Sequence, residues 1–411
     1  MTTELRILRR AEWDTWYGNL IRAFGGVDEA TEERELWDAL TECERSIGVW
    51  DGEECVGTAG AFTFRLSVPG GRIVPAAGVT MVSVAATHRR RGILTSMMRR
   101  QLDDVRAWGE PLAVLTASEP GIYGRFGYGI ATQQLSAEID SSRVRLVPPP
   151  GADIGAVRVR YADPEASLAA CEAVYAQRVE SRPGMLARLP GWERLGVLDP
   201  AQNRQGASPL QCVLAERNGR TVGYARFAVK PEWGAGGAEG VVNVRDLEAL
   251  DPGAYAALLN FLLSVDLTST VRMRSRPVDD PFVHLVSDIR RCEPRVRDSL
   301  HLRPVEVGAA LEARTYAAPV DVVLEVTDPF CPWNEGRWRL SGDTKGAGCE
   351  RTTDPADLAL GSNELGAAYL GGTRLSALAG AGRVRELRQG ALTEASVAFA
   401  SPVAPWLPHG F

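Results

Sequence analysis

The sequence has no apolar run long enough to span a bilayer, and its start, MTTELRILRRAEW, lacks the apolar core of a signal peptide. Cysteine is sparse and scattered: Cys43, Cys55, Cys171, Cys212, Cys292, Cys331 and Cys349 contain no CxxC pair. The odd number and wide spacing argue against a disulfide framework or a structural zinc, and for a reducing cytoplasm. Histidine is scarcer still. His88, His284, His301 and His409 show no pairing with Asp or Ser that would mark a nucleophile-activating centre. No GxxxxGK[ST] loop occurs, and no GxGxxG opens a helix after a strand. The spaced glycines of YGRFGYG follow a different element and lack an acidic ribose partner at the expected distance. A net charge of −6 disfavours nucleic-acid binding and tilts towards cationic substrates.

What is present reads as a globular chain of more than one domain, since 411 residues exceed a single ordinary core. A short strand near Glu4 to Leu8 precedes a helix over Ala11 to Phe24, and the acidic segment Asp28 to Leu40 is also helical. Extended runs then alternate with turns at Asp51-Gly52 and Pro69-Gly70-Gly71, as in an antiparallel meander. The cluster Pro148-Pro149-Pro150-Gly151 marks a boundary. Beyond it the order partly repeats. Two strands surround an Asn218-Gly219 hairpin turn, and EGVVNVRDLEAL feeds a helix over Tyr255 to Val265. From about His301 the pattern changes to α+β, with VEVGAALEARTY helical, VDVVLEVTD and GRWRLSGD extended, and short helices from Ser362 to Phe399.

One stretch needs a physical explanation. In THRRRGILTSMM three arginines and a glycine precede the amphipathic run Ile93, Leu94, Met97, Met98, Leu102, Val105, Trp108. A cation at a helix N-terminus is unfavourable by about 0.3–1 kcal/mol. An anion resolves the conflict: helix N–H groups beside a glycine cradle phosphate, and guanidinium forks add charge-assisted bonds. Arg89, Arg90 and Arg91 suit a pyrophosphate plus a further phosphate on the same ligand. The strand Val79 to Val84 offers an edge along which an extended ligand arm can pair. In the repeat the same place reads DLEALDPGAY, acidic where the first is cationic.

VSVAATHRRRGILTSMM resembles the acetyl-CoA signature of the GNAT N-acetyltransferases, RxxGxG/A after a splayed strand, with Leu94 in place of the terminal Gly/Ala. That departure, together with ASEPGIYGRFGYG, is similar to the Eis-like branch. The resemblance implies an α/β (α+β) chain of tandem GNAT domains followed by a sterol-carrier-protein-like domain. The catalytic copy would occupy residues 1–147, a degenerate central copy 152–298, and the sterol-carrier-like domain 299–411. It implies that Val82, Ser83 and Val84 pair with the pantetheine arm through their backbone. Arg90, Arg91, Gly92, Ile93, Leu94 and Thr95 would surround the pyrophosphate, with Arg89 near the phosphates, and Ser118 and Glu119 would close the cleft.

Direct attack of an amine on a thioester needs a donor to the leaving sulfur. A tyrosine, with a pKa of ~10 against roughly 8.5 for a thiol, suits that task. The resemblance places this acid at Tyr123 and leaves Tyr128 to packing. It places the base at the free carboxylate of the last residue, Phe411, and implies an amine pocket lined by carboxylates and aromatics, for which Asp28 and Trp37 are the candidates. The function implied is acetyl-CoA-dependent N-acetylation of primary amines on cationic substrates such as aminoglycosides, at several positions. Protein-lysine acetylation, or acyl-CoA or lipid carriage without catalysis, are the alternatives. A cytoplasmic homohexamer without metal, membrane or nucleic-acid partners is the further expectation.

Overall fold

The computed structural model describes residues 3–411. Its first sheet is built from β1 (Glu4–Ile7), β2 (Ile47–Asp51), β3 (Glu54–Ser67), β4 (Ile73–Val84), β5 (Leu112–Thr116) and β6 (Gly129–Ile130). Helices α1 (Trp13–Ala23), α2 (Thr31–Leu40) and α3 (Ile93–Ala107) stand between these strands in the chain. β3 is buried along nearly its whole length, not on alternate residues. Helices on both faces of the sheet explain this, since a doubly covered strand reads as a continuous apolar run. Trp13, Trp16 and Tyr17 of α1 pack in one cluster with Trp50 and Cys55, whereas Ile93 and Met97 of α3 pack in another with Val49 and Val56.

The central portion contains β7 (Gln133–Asp140), β8 (Arg158–Ala162), α4 (Leu168–Val179), β9 (Gln211–Arg217) and β10 (Arg220–Lys230). A short ladder of β11 (Trp233–Gly234) and β12 (Gly237–Ala238) leads to β13 (Gly240–Ala249), α5 (Pro252–Leu263), β14 (Thr268–Arg276), α6 (Phe282–Leu285) and β15 (Arg295–Asp298). The hairpin read at Asn218-Gly219 is present, with both residues at positive φ.

The two sheets have the same order once a trade is recognised. The first runs β1-β2-β3-β4-β5-β16-β6, where β16 is Leu300–Pro304; the second runs β8-β9-β10-β13-β14-β7-β15. The first sheet therefore accepts β16 from beyond residue 298, and the second accepts β7 from within residues 1–147. Leu302 of β16 lies opposite Val114, and Ile139 of β7 opposite Val271. The segments 1–147, 152–298 and 299–411 describe order along the chain, while the sheets interlock across them. β16 is buried throughout, and its Leu300 and Leu302 join the core that the first sheet shares with the last portion.

The last portion holds α7 (Val307–Glu312), a sheet of β17 (Val320–Thr327), β18 (Gly336–Gly342), β19 (Ala347–Arg351), β20 (Leu358–Gly361) and β21 (Val384–Glu386), and helices α8 (Ser362–Ala368), α9 (Leu375–Gly380) and α10 (Ala391–Phe399). The helix expected over VEVGAALEARTY is only the six residues of α7. It stops because Arg314 turns fully inward, where Nε donates to the Thr315 carbonyl at 3.1 Å and Nη2 to that of Phe399 at 2.9 Å. Among the described residues no helix is long and apolar enough to cross a membrane.

Because β16 is an interior strand of the first sheet, residues 1–147 expressed alone leave β5 and β6 without the strand between them. Such a fragment is expected to aggregate or to lack a cooperative melt by circular dichroism; a soluble monomer with a sharp transition would show that the exchange is dispensable.

Candidate active site

β4 and β5 run parallel only from Ala76–Leu112 to Gly78–Val114, after which they part. From Val79 onward β4 keeps its partner β3 on one side and has no strand on the other. Met81 adopts φ 53°, and the register with β3 shifts between Thr58 and Gly60, so a bulge re-aims the end of the strand. Ser83 turns its hydroxyl away to Thr58 Oγ1 at 2.7 Å and Asn19 Nδ2 at 3.4 Å. Val82, Ser83 and Val84 thus present backbone along the open edge, which is what pairing with an extended ligand needs.

The same edge leads into α3. Gly92 is the N-cap, at φ 81°, where a side chain would be strained, and no side chain caps the helix. The first hydrogen bond within the helix is Ser96 N–H to Gly92 carbonyl, at 3.0 Å, so the N–H groups of Ile93, Leu94 and Thr95 have no acceptor within it. No acidic residue stands in the first turn. Arg89, Arg90 and Arg91 are exposed, Arg90 at φ 63°, and among the described residues none has a carboxylate partner. Arg91 Nη2 reaches the Thr87 carbonyl at 3.1 Å. Sequence reasoning missed how this loop is fixed: buried His88 places Nε2 3.2 Å from Asp51 Oδ2 and Nδ1 2.8 Å from Thr87 Oγ1. His301 is likewise 2.9 Å from Asp298. Two of the four histidines therefore do have aspartate partners: Asp51 comes to His88 from a distant strand, whereas Asp298 stands three residues before His301.

Past β5, Ser118 and Glu119 are exposed and lead into the 3-10 turn Pro120–Phe126. Tyr123 stands in this turn, half-buried, at the edge of the apolar cluster that also takes in Val82 and Leu94. Its hydroxyl has no hydrogen-bond partner among the described residues. Burial and then the Glu119 carboxylate raise its pKa, which keeps it protonated through the neutral range. Tyr128 is 2% exposed, packs edge-on against Tyr123 at 6.1 Å, and buries its hydroxyl without a partner. The glycines of this stretch have a reason absent from the sequence reading. A Cβ on Gly127 would stand 1.6 Å from Arg303 Nη1, which bonds the Phe126 carbonyl, while Arg303 Nη2 holds Asp328 at 2.6 Å. Asn363 of α8 donates to the carbonyls of Gly124 at 2.6 Å and Tyr128 at 3.0 Å. The last domain grips the tyrosine turn.

On the other side of the parting lies an aromatic wall. The Phe64 ring covers Gly78, where a Cβ would be 2.2 Å from Phe64 Cε2. Trp192 meets Phe62 at 4.9 Å and Phe64 at 5.0 Å, and Trp37 joins them at 6.3 Å from Phe62. Phe411 packs edge-on against Phe64 at 4.7 Å, so the end of the chain reaches the point where β4 and β5 separate. His409 stacks on Trp192 at 6.3 Å; burial, then the Arg188 guanidinium, push its pKa down to about 3, so it is neutral. Asp28 lies elsewhere. It is exposed and lines a hollow of about 550 Å³ beside α1 and α2 with Arg22, Glu29 and Arg34, a wall of mixed charge that does not include Trp37.

A family model described as an acetyltransferase (GNAT) domain matches residues 4–131, a second GNAT model matches 184–304, and a sterol carrier protein domain model matches 307–408. The N-acetyltransferase Eis of Mycobacterium tuberculosis is 34% identical over 402 residues, covering 95% of this chain and 96% of that one. Eis1 from Mycobacterium abscessus matches in structure with a TM-score of 0.84 at 35% identity, with 100% of both chains covered. This chain belongs to the Eis-like GNAT N-acetyltransferases. A Streptomyces avermitilis protein named as an N-acetyltransferase is 70% identical over 411 residues, 100% of each chain. Two GNAT domains and a sterol-carrier-like domain are thus present in the expected order, and the GNAT fold generally uses acetyl-CoA.

In this Eis-like acetyltransferase the second GNAT copy shows what the first lacks. The N-terminus of α5 is capped by Asp251, whose Oδ1 accepts from Ala254 N–H at 2.9 Å, and Pro252 follows it. Arg217 neutralises that carboxylate at 2.6 Å. The helix end open to an anion in the first copy is satisfied by the chain itself in the second.

The double substitution Arg90→Ala, Arg91→Ala should raise the Kd for coenzyme A by about tenfold to a hundredfold for each charge-assisted bond lost, at about 1.5–3 kcal/mol apiece. It should not lower Tm, because removing cations from a helix N-terminus is favourable to the free protein. Calorimetric titration alongside a thermal melt checks both, and unchanged affinity would remove the arginines from the site.

Proposed function

We propose that this acetyltransferase moves acetyl from acetyl-CoA to primary amines of cationic small molecules, aminoglycosides among them, at more than one position. The observation that carries the reading is the meeting of Phe411 with Phe64 over Gly78. It brings the terminal residue of the chain to the gap in the sheet from the aromatic side, while the uncapped α3 and the free edge of β4 serve the coenzyme side.

Acetyl-CoA supplies an acetyl thioester. The chain's residues do the rest. Backbone of Val82–Val84 and the N–H groups of Ile93, Leu94 and Thr95 hold and orient the coenzyme, with Arg89, Arg90 and Arg91 on its phosphates. The ring of Trp37, partly exposed and backed by buried Phe62, Phe64 and Trp192, favours an ammonium near its face. An α-carboxylate, ordinarily of pKa ~3.5, is a weak base; that of Phe411 draws the ammonium in and takes its proton through water, freeing the amine lone pair for attack on the thioester carbonyl. Tyr123, kept protonated by burial and Glu119, gives a proton to the departing sulfur. A broad aromatic wall with one carboxylate selects charge more than shape, which suits acceptors bearing several amines.

The carrier alternative fits the geometry less well. The interior of the last domain is a packed apolar core into which Arg314 is also fully buried, with the rings of Tyr316 at 4.7 Å and Phe399 at 4.9 Å against its guanidinium.

Thiol release from acetyl-CoA on adding an aminoglycoside, compared with a lysine peptide, tests the substrate class, and mass spectrometry counts the acetyl groups gained. Tyr123→Phe should lower kcat by about a hundredfold or more while leaving acetyl-CoA affinity intact. Full turnover by this variant would remove Tyr123 as the acid, and release with the peptide alone would turn the assignment to protein lysines.

A further inference from the structure

The second GNAT copy keeps the parted strands of the first but has closed the gap with its own side chains. β13 and β14 run parallel as far as Val244–Met273 and then separate. Arg276 spans the opening: Nη1 donates to the Leu247 carbonyl at 2.8 Å and Nε to Asp280 Oδ2 at 2.7 Å. Asp280 is held in turn by the Tyr255 hydroxyl from α5 and by the Phe282 N–H at 3.1 Å. The carbonyl on the free edge of β13 is therefore taken by a guanidinium, where the first copy leaves its edge open.

Against the outside of this plug lies the C-terminal segment. The Trp406 ring sits 5.1 Å from the Arg276 guanidinium, and its Nε1 donates to the Ser275 carbonyl at 3.0 Å. Ser275 is at φ 53°, within the irregularity that interrupts the β14–β7 register between Met273 and Arg276. The Trp406 N–H donates to the Pro183 carbonyl at 2.8 Å. Two residues earlier, the Ala404 N–H donates to Asp279 Oδ2 at 2.8 Å and its carbonyl accepts from Arg182 Nη1 at 2.6 Å, and that guanidinium also binds Asp279 at 2.6 Å. Trp406 is 2% exposed. Chain ends fray unless they are tied down, and this one is tied at Ala404, Trp406 and Leu407.

We propose that the cleft of the second copy, shut to coenzyme by Arg276, has become the holder of the chain's own C-terminal segment, with Trp406, Arg182 and Asp279 as positioning residues for Phe411. The kinetic consequence rests on the terminal carboxylate acting as proposed above; the holding itself does not. In this arrangement the repeat contributes to the reaction without binding a substrate. It fixes where a five-residue extension beyond Trp406 ends, on the Phe64 ring of the first copy.

The test uses the full chain and two readouts: the rate at which a carboxypeptidase releases Phe411, followed by mass spectrometry, and the steady-state constants for acetyl transfer. Trp406→Ala should speed release about tenfold or more, since local opening sets such rates. It should lower kcat by about tenfold to a hundredfold through misplacement of the terminal residue, with the KM for acetyl-CoA little changed. Trp406→Phe, which keeps the stacking ring and loses the Nε1 donor, should fall between. Asp279→Ala, altering a partly exposed side chain, should act in the same direction and carries the test if Trp406→Ala folds poorly. Release no faster than wild type in folded variants would overturn the proposal. Faster release with kcat untouched would uphold the holding and remove the Phe411 carboxylate from the chemistry instead.

Discussion

A helix that starts with unsatisfied N–H groups, beside three guanidiniums that have no carboxylate partner among the described residues, is an electrostatic problem left open on the protein surface. The rest of the first domain is arranged so that the problem faces one place. The bulge at Met81 turns the end of β4 towards that helix end, the His88–Asp51 contact pins the loop between them, and Gly92 supplies the left-handed turn that lets the helix begin there. An anion with an extended arm meets all three features at once: charge for the arginines, oxygens for the N–H groups, and amides for the strand edge. The second copy shows the contrary solution, in which Asp251 and Arg276 satisfy the equivalent groups from within.

The chemistry needs more than the first domain provides. Its sheet is completed by β16, its tyrosine turn is gripped by Arg303 and Asn363, and its aromatic side is completed by Trp192 and by Phe411. These residues come from the last domain, the central domain and the chain's end. Interlocking of this kind leaves little room for the domains to move independently. It also explains why a terminal residue, ordinarily the least ordered part of a chain, packs its ring in an aromatic wall.

Much of this was legible in the sequence. The cationic turn, the amphipathic α3, the hairpin at Asn218-Gly219 and the acidic replacement in the repeat each follow from local chemistry: charge at a helix end, apolar period, turn-forming residues. The strand exchange was not. β7 and β16 show the alternation of any half-buried strand, and nothing in such a pattern names the sheet that receives it. Arg303 was hidden in the same way inside HLRPV, where its burial depends on Asp328 reaching it from the third domain. Phe64 and Phe62 read as strand core, and their role as a wall appears only when Trp192 and the chain end come against them. Asp28 and Trp37 share a sequence neighbourhood, yet the structure sends one to a mixed-charge hollow and the other to the aromatic wall.

The proposed grip of α3 and its arginines on phosphate is tested most directly by comparing coenzyme A with pantetheine, the same arm without its phosphates. Titration calorimetry should show pantetheine binding at least about a hundredfold more weakly, the loss expected when several charge-assisted bonds vanish together, and rising salt should narrow the gap. Equal affinity for the two ligands, insensitive to salt, would contradict the account.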